Sequence, residues 1–359
     1  MIINLKEFPV TRYQGSKRKM ISWIFDVLNE LDLSFETVLD GFGGTASVSY
    51  LFKKMGKNVT YNDSLKFNYL IGKTLIENND VRLYPNELET LVNFNSISNI
   101  VEKNFQGIYY TDNENKWIDN VAENINNRFG AGSPSFDEYK YAMSFYALFQ
   151  ACLIKRPFNL FHRKNLNLRL NDVKRNFGNK TSWEKPFDEL FKKFIEEANT
   201  TAFDNQKKCL SLNLSVFDLN SDGYDLVYFD PPYFVKKDDH ETSDYFKCYH
   251  FLEGLANYNN WERMINYETI NRRLIYQLPE PSLNRHNISE KLEELLYKFR
   301  KSTIILSYKE GGIPSIDYII EILNKLGKKV ISKSIHYKYA LNHQNGDAQK
   351  NREVLIIGI

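Results

Sequence analysis

The sequence predicts an α/β protein built on a parallel sheet and interrupted by insertions. Three observations carry this. Short apolar runs alternate with amphipathic stretches over residues 21–75 and again over 225–358, the pattern of βα units. A glycine-rich turn, Asp40-Gly41-Phe42-Gly43-Gly44, joins a strand-like run to a helix-like one. A buried-type run, DLVYF at 225–229, stops at Asp230-Pro231-Pro232-Tyr233, where two prolines remove the N–H donors a strand needs.

In order along the chain, residues 21–31 place apolar side chains at 21, 24, 25, 28 and 31, one face of a helix. Residues 36–40 read as a strand, the glycine turn follows, and a helix runs to about 55. Residues 58–62 read as the next strand, with helical pattern from about 65, so a βαβ unit is expected. Further strands are expected at 225–229, 303–307, 329–337 and 354–358, with a helix over 316–326 ended by Gly327. The polar stretch 342–351 is short enough for a hairpin loop. Between 76 and 207 the pattern changes to Asn-rich, aromatic and basic segments, with helices such as 137–154. The expected organisation is a core of 1–75 and 208–359, an inserted domain at 76–207, and a mostly helical insertion at 234–300.

The 359 residues suit two domains or one with a large insertion, at roughly 150 residues per domain. Hydrophobic residues at 42% and charged residues at 26% exclude wholesale disorder. The most apolar stretch, 144–154, is too short to span a bilayer, and residues 1–10 lack the pattern of a secretory leader. Cys152, Cys209 and Cys248 are isolated and odd in number. This argues against a disulfide framework and a metal cluster, and fits a reducing cytoplasm.

Net charge is only +2, but residues 151–185 hold nine Lys or Arg against two acids. Arg12, Lys17, Arg18 and Lys19 form a second cluster. Cations interleaved with aromatic rings suit a polyanion, since cations neutralise phosphates and rings stack on bases. An ordinary solvated face is the alternative.

The glycine turn lets a ligand approach the backbone at a helix N-terminus. Asp63 ends the next strand, 22 residues after Gly41, where an acid commonly accepts ribose hydroxyls. A tight turn without a ligand, a nicotinamide cofactor and S-adenosylmethionine all remain open. Asp40 favours the last, because a carboxylate repels a pyrophosphate and attracts an ammonium. At the second motif, Asp230 and the Pro231 carbonyl are two acceptors at the carboxyl edge of the sheet. They suit the two N–H bonds of an exocyclic amine, with the Tyr233 ring stacked on its base.

Taken in order, Arg12-Tyr13-Gln14-Gly15-Ser16-Lys17, Asp40-Gly41-Phe42-Gly43-Gly44, Asn62-Asp63 and Asp230-Pro231-Pro232-Tyr233 resemble the Dam-like, alpha-group adenine-specific N6 DNA methyltransferases. Residues 141–169, which look like the start of that family's target-recognition domain, and Leu306-Ser307-Tyr308 extend the resemblance over nearly the whole chain. It implies a Rossmann-like seven-stranded S-adenosylmethionine-dependent core whose final two strands are antiparallel. Tyr13, Gly15 and Lys17 would contact S-adenosylmethionine, and Asp40 with the 41–44 backbone would hold its methionine part. Asp63 would bind its ribose, and Phe217 with Asp218 would flank its adenine. Asp230, Pro231, Pro232 and Tyr233 would form the transfer site, with Asp230 also at the cofactor. Arg156, Arg163, Lys164, Arg169, Lys174 and Arg175 are the expected DNA contacts. The implied partners are double-stranded DNA and a cognate restriction endonuclease. The chain itself is expected to be a cytoplasmic monomer acting at the nucleoid. Tyr13 stands where some relatives have Trp, and residues 239–273 form a longer segment than in the smallest relatives.

Methylation of cytosine N4, of an RNA adenine or of a protein amide remains an alternative, as do a nicotinamide-dependent enzyme and a non-catalytic DNA-binding protein. Within the resemblance, Asp at 230 favours adenine. Cytosine-C5 chemistry needs a nucleophilic thiol, and none of the three cysteines has the expected preceding proline.

Overall fold

The computed structural model describes residues 3–95, 97–171, 180–235, 244–275, 283–336 and 352–359. Nine strands are present among them: β1 Thr37–Asp40, β2 Asn58–Asn62, β3 Leu210–Leu212, β4 Leu226–Phe229, β5 Phe234–Val235, β6 Thr303–Lys309, β7 Gly312–Ile313, β8 Val330–His336 and β9 Arg352–Gly358. Seven form one sheet in the order β3-β2-β1-β4-β6-β9-β8, and β5 pairs with β7 in a separate ribbon. Strands β3, β2, β1, β4 and β6 run parallel. Strand β9 is antiparallel to both β6 and β8, as expected for the final pair.

Alternation along the strands builds two cores, one on each face. Val38, Leu226, Tyr228 and Ile305 join one cluster; their neighbours Leu39, Val227, Phe229 and Ile304 join the other. The second face is covered by helices Ile288–Lys298 and Ile316–Lys325, whose Leu292, Leu295, Ile319 and Leu323 enter that cluster. The first face is covered by helices Ile21–Glu30, Ser47–Lys54 and Lys66–Gly72, and its cluster continues into the helices between β2 and β3. Glu138–Ile154 is central there. Asp137 caps it by accepting from the Tyr139 and Lys140 amides, and every residue from Ala142 to Ile154 is buried. Six of the seven sheet strands match the sequence expectation. The seventh, β3, is a three-residue edge strand too short to show a period. The polar stretch at 342–351 lies outside the described residues.

The basic segment is only partly a surface. Arg156 is 1% exposed. Its Nε and Nη2 donate to the Leu160 carbonyl at 3.1 and 3.0 Å, and Nη2 also to the Arg163 carbonyl at 2.9 Å and Asn165 Oδ1 at 2.5 Å. Its guanidinium lies 4.4 Å from the Tyr109 ring centroid. Arg169 is held by Glu114 through two hydrogen bonds at 3.0 and 2.7 Å. The expectation that Arg156 and Arg169 contact DNA is therefore corrected. Both guanidiniums are spent inside the fold, because a buried cation must find acceptors. Arg163 and Lys164 are exposed, while Lys174 and Arg175 lie outside the described residues. In the N-terminal cluster, Arg18 donates to the carbonyls of Leu5, Phe8 and Pro9, and Lys17 is buried.

Arg156→Ala leaves its acceptors without donors inside the fold. It is expected to destabilise the chain by about 2–4 kcal/mol, whereas Lys164→Ala leaves the urea midpoint unchanged; equilibrium denaturation compares them.

Candidate active site

Strand order reverses between β1 and β4, so their carboxyl ends diverge into a crevice, the usual ligand position in open α/β sheets. A cavity of about 410 Å³ opens there. Asp40 ends β1, and Asp230 follows β4; both line the cavity.

The glycine turn is shaped first by internal packing. A Cβ on Gly41 would meet the Phe229 ring at 2.6 Å, and one on Gly43 the Tyr61 ring at 2.1 Å. Tyr61 in turn donates to the Gly44 carbonyl at 2.9 Å. Gly44 adopts a φ of +47°, which favours glycine. Thus Gly41 and Gly43 admit aromatic rings of the fold, while Phe42, Gly43 and Gly44 line the cavity. Helix Ser47–Lys54 starts beside it, and Ser47 and Val48 also line it.

Asp40 is 1% exposed. Ser49 donates to its Oδ2 at 2.6 Å, and its Oδ1 has no hydrogen-bond partner among the described residues. Burial, opposed by the Ser49 hydroxyl and reinforced by Asp230 and Asp63, pushes its carboxyl up to about 7. Asp63 accepts from the amides of Gly44 at 3.0 Å and Leu65 at 2.9 Å, and from Asn68 at 3.1 Å. Burial pushes it up to about 6 against those three bonds.

Across the cavity, Tyr13 lies parallel to Tyr249 at 4.4 Å and to Tyr245 at 5.3 Å between ring centroids. Gly15 has a φ of +80° and lines the cavity with Tyr13 and Lys17. Phe217 lines it as well, whereas Asp218 is exposed and outside its walls.

The Asp-Pro-Pro-Tyr segment differs from the open pair of acceptors expected. Lys17 Nζ donates to Asp230 Oδ2 at 2.6 Å and to the Tyr233 hydroxyl at 3.0 Å. The Tyr233 hydroxyl donates to Asp230 Oδ1. Both carboxylate oxygens are therefore engaged. Pro232 lines the cavity, Pro231 is buried behind it, and the Tyr233 ring meets Tyr308 edge-on at 5.5 Å. Glu353 on β9 completes the cluster, with Oε1 at 2.9 Å from the Tyr233 hydroxyl and 3.4 Å from Lys17 Nζ. Burial alone would lower the Lys17 ammonium, but the carboxylates of Asp230 and Glu353 hold it above its ordinary value. Asp230 is raised, chiefly by burial and by Glu353, against the pull of Lys17.

Sequence reasoning missed Glu353, Tyr245 and Tyr249. The i, i+4 spacing of the two tyrosines on helix Tyr245–Ala256 was the only available signal; a lone acid at the start of a strand gives none. Among the described residues, no group of three or more His, Cys, Asp or Glu is placed to hold a metal, and no helix is long and apolar enough to cross a membrane.

A carboxyl raised by folding binds its proton more tightly in the native state. Its stability contribution is present at low pH and lost as pH rises from the unfolded value through the folded one. Asp40→Asn is therefore expected to raise the thermal midpoint more at pH 8 than at pH 5; scans at both values check it.

The family of D12 class N6 adenine-specific DNA methyltransferases matches residues 13–298. The type II methyltransferase M2.HphI of Haemophilus parahaemolyticus is 25% identical over 99% of both chains. The type II methyltransferase M.NlaIII of Neisseria lactamica is 22% identical over 88% of both. The modification methylase LlaI of Lactococcus lactis subsp. lactis is 23% identical over 96% of this chain, which spans only 54% of that protein. With the glycine turn and Asp-Pro-Pro-Tyr meeting at one cavity, the chain belongs to the D12 class N6 adenine-specific DNA methyltransferases.

Proposed function

We propose that the cavity takes S-adenosylmethionine as methyl donor and that the chain methylates an adenine flipped out of duplex DNA at a specific sequence, as the modification half of a restriction–modification pair. One observation carries this reading: a buried carboxylate with an unengaged oxygen, Asp40, lies on the strand next to the one that leads into Asp230, and both face the same cavity. A carboxylate there suits an ammonium, and the volume suits a nucleoside-sized ligand. Asp40 and the 42–44 backbone would hold the methionine part. Asp63 keeps acceptor capacity for a ribose hydroxyl beyond its three internal bonds. Phe217 is left to flank the cofactor adenine, without Asp218. Tyr13, Gly15 and Lys17 close the opposite side.

When bound, this cofactor supplies an electrophilic methyl group on a sulfonium. The amine of adenine lies inside the duplex and must be flipped out, and its lone pair is delocalised into the ring. Asp230 and the Pro231 carbonyl would each accept one of its hydrogens, favouring a tetrahedral nitrogen whose lone pair can be aimed. The Tyr233 ring would stack on the base. Asp230 need not be a strong base, because the methylated amine is cationic and its proton passes to Oδ readily. Most of the rate gain would come from positioning and electrostatics. Lys17 and Tyr233 each take one acceptor site of Asp230, and their release would open the carboxylate fully to the amine.

Residues 76–207 are assigned target recognition. Of the six candidate cations there, Arg163 and Lys164 are the two exposed ones among the described residues, and Lys174 and Arg175 are proposed from the sequence alone.

The test is methylome sequencing of DNA from a methylation-free host expressing the chain or its Asp230→Ala variant. Methyl-adenine at one short motif, absent with the variant, supports the reading. Its absence with soluble, cofactor-binding wild type sinks it. Asp230→Ala is expected to keep calorimetric affinity for S-adenosylmethionine within about tenfold, since Asp40 remains. Arg163→Ala is expected to weaken DNA binding at every sequence and to lower the salt dependence by about one counterion, read by anisotropy titrations across salt concentrations.

A further inference from the structure

Glu353 lies beyond the family-matched residues 13–298. It is 0% exposed. Strand β9 is antiparallel to β6, and Ser307 pairs with Leu355. Glu353, two residues earlier, is therefore diagonal to Ser307 on the same face. Ser307 donates to Glu353 Oε1 at 2.7 Å. One strand over, β4 leads into Asp230.

The donors that occupy Asp230 are the donors that reach Glu353. The Tyr233 hydroxyl is already 2.9 Å from Oε1, and Lys17 Nζ is 3.4 Å from it. A shift of about half an ångström would bring that ammonium to ordinary hydrogen-bond length. The Tyr233 proton needs only a rotation about its C–O bond, from Asp230 Oδ1 to Glu353 Oε1. No proton is gained or lost, and the ammonium stays paired throughout.

We propose that Glu353 is a positioning residue of the transfer site: it takes over the Lys17 ammonium and the Tyr233 hydroxyl, freeing Asp230 for the target amine. This rests on the reading that Asp230 receives the adenine amine. Two carboxylates share one ammonium, so the cluster carries one net negative charge to meet the positive charge developing on that nitrogen. The groups acting on Asp230 are Lys17 and Tyr233 in contact, with Glu353, Tyr228, Tyr245 and Asp40 acting through charge without a direct bond.

The test is single-turnover methylation of a duplex bearing the recognised site, with calorimetric affinity for S-adenosylmethionine and thermal midpoints alongside. E353Q keeps the shape and removes the charge. Its transfer rate is expected to fall about 10–100-fold, with cofactor affinity within about threefold of wild type. The acid limb of its pH–rate profile should move to lower pH, since the carboxylate that raises Asp230 is gone. S307A loosens Glu353 but leaves its charge, so it should lose less than about tenfold and keep that limb in place. An E353Q rate within about twofold of wild type overturns the proposal. So does a loss confined to cofactor affinity with an unmoved limb. If E353Q does not fold, S307A decides: a slower transfer at unchanged affinity supports the role, and a wild-type rate overturns it. Wild type that binds cofactor but methylates no adenine overturns the underlying reading, and this inference with it.

Discussion

The ammonium of Lys17 is buried, with Lys17 only 4% exposed, and the site is organised around that fact. A buried cation is tolerated only with close counter-charges and hydrogen bonds. Here those come from Asp230 at 2.6 Å and Glu353 at 3.4 Å. The two carboxylates lie 213 and 336 residues further along the chain. One charge thus ties the N-terminal motif to the end of β4 and to the start of β9. It also explains why Asp230 is engaged on both oxygens rather than left open: a raised carboxyl beside a second carboxyl needs the ammonium as much as the ammonium needs it.

The remaining walls show structural and ligand demands met by the same residues. Gly41 and Gly43 are small because Phe229 and Tyr61 press against them, and the turn they make brings Gly44 to the cavity. Asp63 steadies that turn through the Gly44 amide and steadies the following helix through the Leu65 amide. Among the described residues Asp40 accepts from Ser49 on one oxygen and has no partner within hydrogen-bond geometry on the other, with the Phe42 backbone also acting on the carboxyl. Each acid is desolvated by the strand ends around it, which is why both carboxyls lie above their ordinary range. A cationic ligand group relieves that cost, so the cavity favours positive charge before any specific contact is considered.

Helix Tyr245–Ala256 links the segment after β5 to the side of the cavity formed by Tyr13. Tyr245, Tyr249 and Glu253 recur every four residues and so share one face. Two of them stack with Tyr13. Glu253 accepts the Lys66 and Phe67 amides at the start of helix Lys66–Gly72, supplying the N-terminal acceptor that Leu65 cannot. This helix is therefore bonded to the elements around Asp63 rather than appended to them.

The sequence by itself determined the α/β class, six of the seven sheet strands and the two motifs at the cavity. These are local signals: period-two burial, glycine where a turn is tight, proline where a strand must stop. It also determined that the 151–185 segment is basic. Which of those cations stay on the surface was decided by tertiary structure, because burial depends on what packs above a residue. Arg156 and Arg169 met carbonyls and Glu114 within the fold, while Arg163 did not become buried. The same holds at the site. Glu353 has no motif, and its role arises only because antiparallel pairing of β9 with β6 turns its first residues toward the carboxyl ends of the parallel strands. Contacts across 336 residues are set by strand register and by the cost of an unpaired buried charge, and neither is written in any local pattern.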